Sequence, residues 1–169
     1  MPRQTEVTID SMRVSLTSQN RMLMLKEKNG DLYLPLFIGQ FEAESIIIAL
    51  QEIEVSRPQP HDLVRNIIKD LDARLVRAVI TDMKAASFYA ELILEDEAGK
   101  EFHVDSRPSD AIAVALRAHV PIYVDYEVLM ANAVFPEPDV RSGRPAHFEN
   151  DEPDEDDLSA FKDFFDNIG

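Results

Sequence analysis

The stretch from His103 to Val124, H-V-D-S-R-P-S-D-A-I-A-V-A-L-R-A-H-V-P-I-Y-V, constrains this chain more than any other. Phe102 and Val104 alternate with His103 and Asp105, the period of a half-buried strand. Arg107-Pro108 stops that strand and opens a helix, because proline suits a first helical turn, where its missing N–H costs nothing. Asp110 follows in the same turn, where an acid meets the positive end of the helix dipole. From there the helix is apolar almost all round (Ala111, Ile112, Val114, Ala115, Leu116, Ala118), the composition of a buried helix. Only Asp110 and Arg117 share a polar edge. Asp105, Arg107 and Asp110 therefore concentrate charge at the start of a buried element, the pattern of a functional site and equally of a capped helix start.

The rest of the chain reads as the layers such a helix needs. Residues 5–28 form two strands, Asn29-Gly30 is a hairpin turn signal, and Leu32–Ile38 is a third strand ended by Gly39. Gln40–Glu54 and Pro60–Leu71 read as helices. Strands follow at about 73–83, 87–96 and 101–106, with Ala98-Gly99 in the last turn. The helix at 108–119 leads to a short strand at 121–124 and a short helix at 126–133. Hairpins with intervening helices predict a single α+β domain over 1–135, with a mixed β-sheet and three to four helices. Beyond it, 136–157 is a Pro-containing linker with seven acids among residues 149–157, a composition that predicts disorder. Residues 158–169 read as a short amphipathic helix carrying Leu158, Phe161, Phe164, Phe165 and Ile168, which needs a surface to cover.

D-S-R-P-S-D-A-I-A-V-A-L-R resembles the signature of the bifunctional nuclease domain family. L-P-L-F-I-G-Q-F-E-A-E-S-I at 34–46, R-P-Q-P-H-D-L at 57–63 and I-T-D-M-K-A-A-S-F-Y-A at 80–90 resemble it too, in the right order, so the resemblance covers roughly residues 5–135. The acidic linker and the segment after it are similar to the tail of some bacterial members. The resemblance implies nuclease activity on DNA and RNA. One departure is Asp72, where the family usually has glycine after the helix, so the helix-ending turn is expected to differ there.

Composition sets bounds on that activity. The chain has no cysteine, which excludes thiolate metal sites, thiol catalysis and disulfides. No apolar run approaches the ~18 residues that cross a membrane, and no apolar signal segment opens the chain, so the expected location is cytoplasmic. The net charge of −15 excludes a basic clamp on nucleic acid. It leaves room for a nuclease whose carboxylates hold divalent cations, with basic stripes on an acidic whole.

The candidate residues each have a functional and a structural reading. Glu42 shares a helical face with Ile46, Ala49 and Ile53, so it either joins a cation site or caps its own helix start. His61, Arg65 and Lys69 form a stripe that either faces phosphate, with His61 as general base, or is a solvated helix face. On this reading Leu63, Val64, Ile67, Ile68 and Leu71 are the opposite, apolar arc. Asp105, Arg107 and Asp110 either hold a cation and a phosphate or form a structural ion pair. His103 shares the strand face of Asp105 and reads as exposed. Glycine loops, G-x-S-x-G and H-E-x-x-H are absent, and Ser109 has no histidine nearby in sequence.

The leading expectation is a metal-assisted nuclease acting on DNA and RNA. His61, Asp105, Arg107 and Asp110 are its catalytic residues, and Arg65, Lys69 and Arg107 bind phosphate. Glu42, Asp105 and Asp110 hold Mg²⁺ or Mn²⁺. The rival is a non-catalytic interaction or regulatory module that self-associates into a homo-oligomer or takes a protein partner on its C-terminal helix.

Overall fold

The computed structural model describes residues 3–14 and 21–135. The linker and tail helix expected at 136–157 and 158–169 lie outside the described residues.

Seven strands form one mixed sheet, as the hairpin pattern predicts. They are β1 (Gln4–Val14), β2 (Arg21–Glu27), β3 (Tyr33–Ile38), β4 (Ala73–Lys84), β5 (Ser87–Asp96), β6 (Glu101–Ser106) and β7 (Ile122–Asp125). Their order across the sheet is β3-β2-β1-β7-β4-β5-β6. The antiparallel three-strand meanders at either end meet through β7, which pairs antiparallel with β1 and parallel with β4. A parallel pairing needs a crossover, and the one connecting β6 to β7 is the buried helix inferred from its apolar composition.

Four helices accompany the strands: α1 (Gln40–Leu50), α2 (Pro60–Asp70), α3 (Pro108–Ala118) and α4 (Tyr126–Asn132). α3 packs on β4 and β5 with α1 and α2 against it, so all three lie on one face of the sheet. Ile112, Ala113 and Val114 of α3 and Ile46 of α1 meet Leu23, Leu25, Leu34, Leu36, Ala78, Ile80 and Leu92 in the main core. α1 is shorter than its apolar run suggests. It stops at Leu50 because Glu52 takes a left-handed φ of 51° and the Ile53 N–H returns to the Ile48 carbonyl.

The turn after α2 forms without a glycine. Asp72 adopts φ 55°, the left-handed conformation that glycine supplies without strain and that Asp tolerates better than most residues. His119 ends α3 in the same way, with φ 54°, which gives that histidine a structural explanation.

α2 is turned the opposite way from its sequence pattern. None of its residues is buried. The apolar residues Leu63, Val64, Ile67 and Leu71 face solvent, and only Ile68 packs against the core. The inward side carries His61 and Asp62, which make polar contacts to α3.

Candidate functional site

Three helix beginnings converge. Glu42 lies in the first turn of α1, His61 and Asp62 in the first turn of α2, and Arg107 and Asp110 at the start of α3. Arg107 is the N-cap residue of α3, in extended backbone conformation just before Pro108. Its Nε donates to Asp110 Oδ2 at 2.7 Å, its Nη2 to Asp110 Oδ1 at 3.1 Å, and its Nη1 to Glu42 Oε1 at 2.9 Å. A guanidinium has five N–H donors, so two remain, one on each terminal nitrogen. The Arg107 side chain is 64% exposed while its two carboxylate partners are mostly covered, so this cation is the part of the cluster that solvent reaches.

The ion cluster sets the charge states of its members. The Asp110 hydrogen bond, then the one to Glu42, raises Arg107 further above its already high pKa. Burial pushes Asp110 upward, but the bonds from Arg107 and His61 outweigh it and hold the carboxyl below the usual range. Glu42 does not cap its own helix start; its carboxylate lies over Gly39, where any side chain would run into it. The glycine in L-F-I-G-Q-F-E therefore makes room for an acid three residues later. Among the described residues, Glu42 Oε2 has no hydrogen-bond partner.

His61 is nearly covered, with its side chain 15% exposed. Its Nε2 lies 2.9 Å from Asp110 Oδ1 and its Nδ1 2.7 Å from Ser45 Oγ. Both ring nitrogens are engaged, so the general-base role expected for His61 needs one of these bonds to open. Behind them lies Arg117, with a side chain only 4% exposed. It donates to Asp62 Oδ1 at 3.0 Å, Gln59 Oε1 at 3.0 Å, Ser45 Oγ at 3.1 Å and the Ala113 carbonyl at 3.0 Å. Asp62 Oδ2 in turn accepts the Gln59 N–H at 2.9 Å, which closes the start of α2. Ser45, Gln59 and Arg117 are the network members that the sequence reading did not single out. Ser45 is hidden inside the apolar run of α1, and Arg117 stands at the far end of α3 from the residues it serves.

Asp105 does not join this cluster. On β5, Ala90 and Leu92 belong to the core under the helices, and they pair with Ser106 and Val104 of β6. Asp105 and His103 pair with the alternate residues Glu91 and Ile93, so they project from the other face of the sheet. There His103 is exposed, as expected, with Nδ1 2.7 Å from Glu91 and Nε2 2.9 Å from Glu101. The carboxylates proposed to share a cation, Glu42, Asp105 and Asp110, are thus split between two faces, and Arg107 occupies the space between the two that remain together. Among the described residues no three His, Asp or Glu side chains form a group able to hold a metal ion. The residues present do not fit a cation caged by those three acids.

The remaining phosphate-binding candidates lie apart from Arg107. Arg65 and Lys69 line an open depression of about 330 Å³ with Arg74 and Arg117, floored by Ile68, Leu75 and Val114. Among the described residues the Arg65 guanidinium hydrogen-bonds only the side chain of its neighbour Asn66, whereas Arg74 is paired with Glu95.

Comparison with known proteins places this arrangement in a family. The profile of the bifunctional nuclease domain matches residues 23–137. The chain belongs to the bifunctional nuclease domain family. It is 39% identical over 164 residues to an uncharacterized protein of Mycobacterium tuberculosis, covering 96% of this chain and 94% of that one. It is 29% identical over 130 residues to "Bifunctional nuclease 1" of Oryza sativa subsp. japonica, covering 73% of this chain and 38% of the rice protein. With "Bifunctional nuclease 2" of Arabidopsis thaliana it shares 32% identity over 108 residues, 61% of this chain and 32% of the plant protein. The converging helix starts of this bifunctional nuclease domain all fall inside the matched segment. Among the described residues no helix is long and apolar enough to cross a membrane.

Proposed function

We propose that this chain is a cytoplasmic nuclease that hydrolyses phosphodiester bonds of DNA and RNA, with the reacting phosphate held on Arg107. The observation that carries this reading is the exposed guanidinium of Arg107, fixed by Glu42 and Asp110 with two N–H groups left to donate. A planar fork of this kind suits two phosphate oxygens, and its donors stabilise charge that builds up on them during displacement. Glu42 Oε2 is the free carboxylate oxygen beside that fork and orients the attacking water. Of the acids expected to hold Mg²⁺ or Mn²⁺, only Glu42 would have an oxygen to offer a cation carried by the substrate phosphates, and such a cation would supply charge neutralisation there. Arg65 and Lys69 attract neighbouring phosphates along α2.

The test uses highly purified protein on single-stranded RNA and DNA, with Mg²⁺, with Mn²⁺ and with a chelator. Arg107→Lys keeps the charge and loses the fork, so cleavage is expected to fall by about 100-fold, the usual effect of removing one such donor. Glu42→Gln is expected to fall with it. Full activity in Arg107→Lys removes Arg107 from the reaction. The chelator separates a reaction that needs the cation from one that does not.

The interaction-module reading has its own support in the exposed Leu63, Val64, Ile67 and Leu71 and in the mutual pairing of the site charges. Under it, no cleavage survives purification under any of these conditions, and Ile67→Lys abolishes self-association or partner capture.

A further inference from the structure

We infer that Arg117 and Ser45 are positioning residues that fix the tautomer of His61 and, through it, the seat of Arg107. The inference rests on the reading of Arg107 as the phosphate-holding group. It starts from donor arithmetic along one line of side chains that runs between two helix ends. Arg117 can only donate, so at Ser45 Oγ the hydrogen comes from Arg117 Nη2, at 3.1 Å. The other hydrogen of that nitrogen goes to Gln59 Oε1, at 3.0 Å. Ser45 has one hydrogen of its own, and His61 Nδ1 lies 2.7 Å away. Among the described residues His61 Nδ1 is the one acceptor within reach of that hydrogen, so the hydroxyl donates to the ring and Nδ1 accepts.

The far end of the line favours the same answer. Asp110 is held ionised and is an acceptor only, so the contact of 2.9 Å to His61 Nε2 needs a hydrogen on that nitrogen. One proton, on Nε2, satisfies both ends of a neutral imidazole. The line then reads in a single direction: Arg117 to Ser45, Ser45 to His61, His61 to Asp110. Asp110 Oδ1 also receives Arg107 Nη2, at 3.1 Å, so the exposed fork and the buried arginine are joined through three side chains.

The opposite tautomer turns the Nε2 lone pair toward the Asp110 carboxylate and the Nδ1 hydrogen toward the Ser45 hydroxyl. It breaks the bond to Asp110 and reverses the one to Ser45, leaving the hydroxyl hydrogen without its acceptor, frees Asp110 to shift and loosens the guanidinium that it clamps. Arg117 suits this task because it is buried and fully anchored. Asp62 Oδ1 and the Ala113 carbonyl take two more of its hydrogens, at 3.0 Å each. A rigid donor at a fixed place is what sets the sense of a hydrogen-bond chain.

The deciding measurement is the ¹⁵N spectrum of the His61 imidazole in the full chain at neutral pH, alongside binding of a short single-stranded DNA oligonucleotide. The parent is expected to show a single Nε2–H tautomer. Among the described residues Ser45 is the only donor to Nδ1, so Ser45→Ala is expected to give a mixture of tautomers, with oligonucleotide affinity reduced roughly fivefold, as for one net hydrogen bond. Ser45→Thr restores the hydroxyl and is expected to recover both signals. Arg117→Gln removes a buried charge and is the variant at risk of not folding, so Ser45→Ala carries the test. A parent that holds its hydrogen on Nδ1 overturns the inference, as does a Ser45→Ala protein with unchanged tautomer. A parent with the Nε2–H tautomer that binds no oligonucleotide instead leaves the tautomer assignment standing and defeats the Arg107 reading.

Discussion

Asp110 accepts three hydrogen bonds, two from Arg107 and one from His61. Its carboxyl is held below the usual range against the opposing effect of burial. Folding therefore favours its ionised form. The stability this supplies is fully present above the unfolded value of about 3.9 and is lost as pH falls through the lower folded value. Asp110→Asn is expected to cost about 1 kcal/mol at pH 6–7 once solvent screening is allowed for. Denaturant midpoints of the two proteins should converge as pH falls below about 4. Asp105 offers the contrast. It projects from the other side of the sheet, so Asp105→Asn is expected to leave cleavage unchanged in the assay that Asp110→Asn impairs. A parallel loss in both would bring the two faces into one reaction. At Asp72 the chain bears a left-handed backbone without glycine. Asp72→Gly is expected to raise stability by about 0.5–1 kcal/mol, read as a higher urea midpoint, because the replacement relieves that strain.

α2 is the element whose role the sequence leaves open. Ile67 and Ile68 are neighbours in an apolar arc, yet only Ile68 packs against the core. Ile68→Ala is expected to cost about 1–2 kcal/mol, below the usual measure for core methyl groups because Ile68 is only partly buried. Ile67→Lys in dilute protein should stay within about 0.5 kcal/mol of the parent, as surface changes do. Thermal or denaturant unfolding of both variants separates the two outcomes. A periodicity of 3.6 says which residues share a face, not which face turns inward. That choice was made here by Arg117, which draws Asp62, Gln59 and Ser45 to itself from two other segments. The same limit applies to β6. Alternation put His103 and Asp105 on one face, as observed, but could not say that the helices cover the other. The mixed sheet and the buried α3 were legible, because proline-led helix starts and apolar runs carry local signals; Glu42, His61, Arg107 and Asp110 were legible as candidates, but not their meeting, which depends on helices far apart in the chain. Ser45 carried none, being one hydroxyl in an apolar segment. Its partner Arg117 lies 72 residues away, and only the tertiary packing of α1 on α3 joins them.

Across the whole molecule, a net charge of −15 repels a polyanion except where cations reach solvent. Arg107, Arg65 and Lys69 are the cations proposed to meet phosphate. Oligonucleotide binding is therefore expected to weaken with added salt, with a log–log slope of about −2 for three single-strand contacts. A slope near zero would show that phosphates are not what the surface meets. The turned-out orientation of α2 has a consequence on another axis, that of time. Elements anchored by buried apolar surface open only when the whole domain unfolds, while those held by a few polar bonds open on their own. α3, with seven buried residues, belongs to the first kind and α2, with none, to the second. Amide hydrogens of α2 should then exchange with solvent well before those of α3, under conditions where the sheet stays closed. Each such opening carries His61 away from Asp110, so Arg107 loses and regains its support at the rate at which one helix breathes.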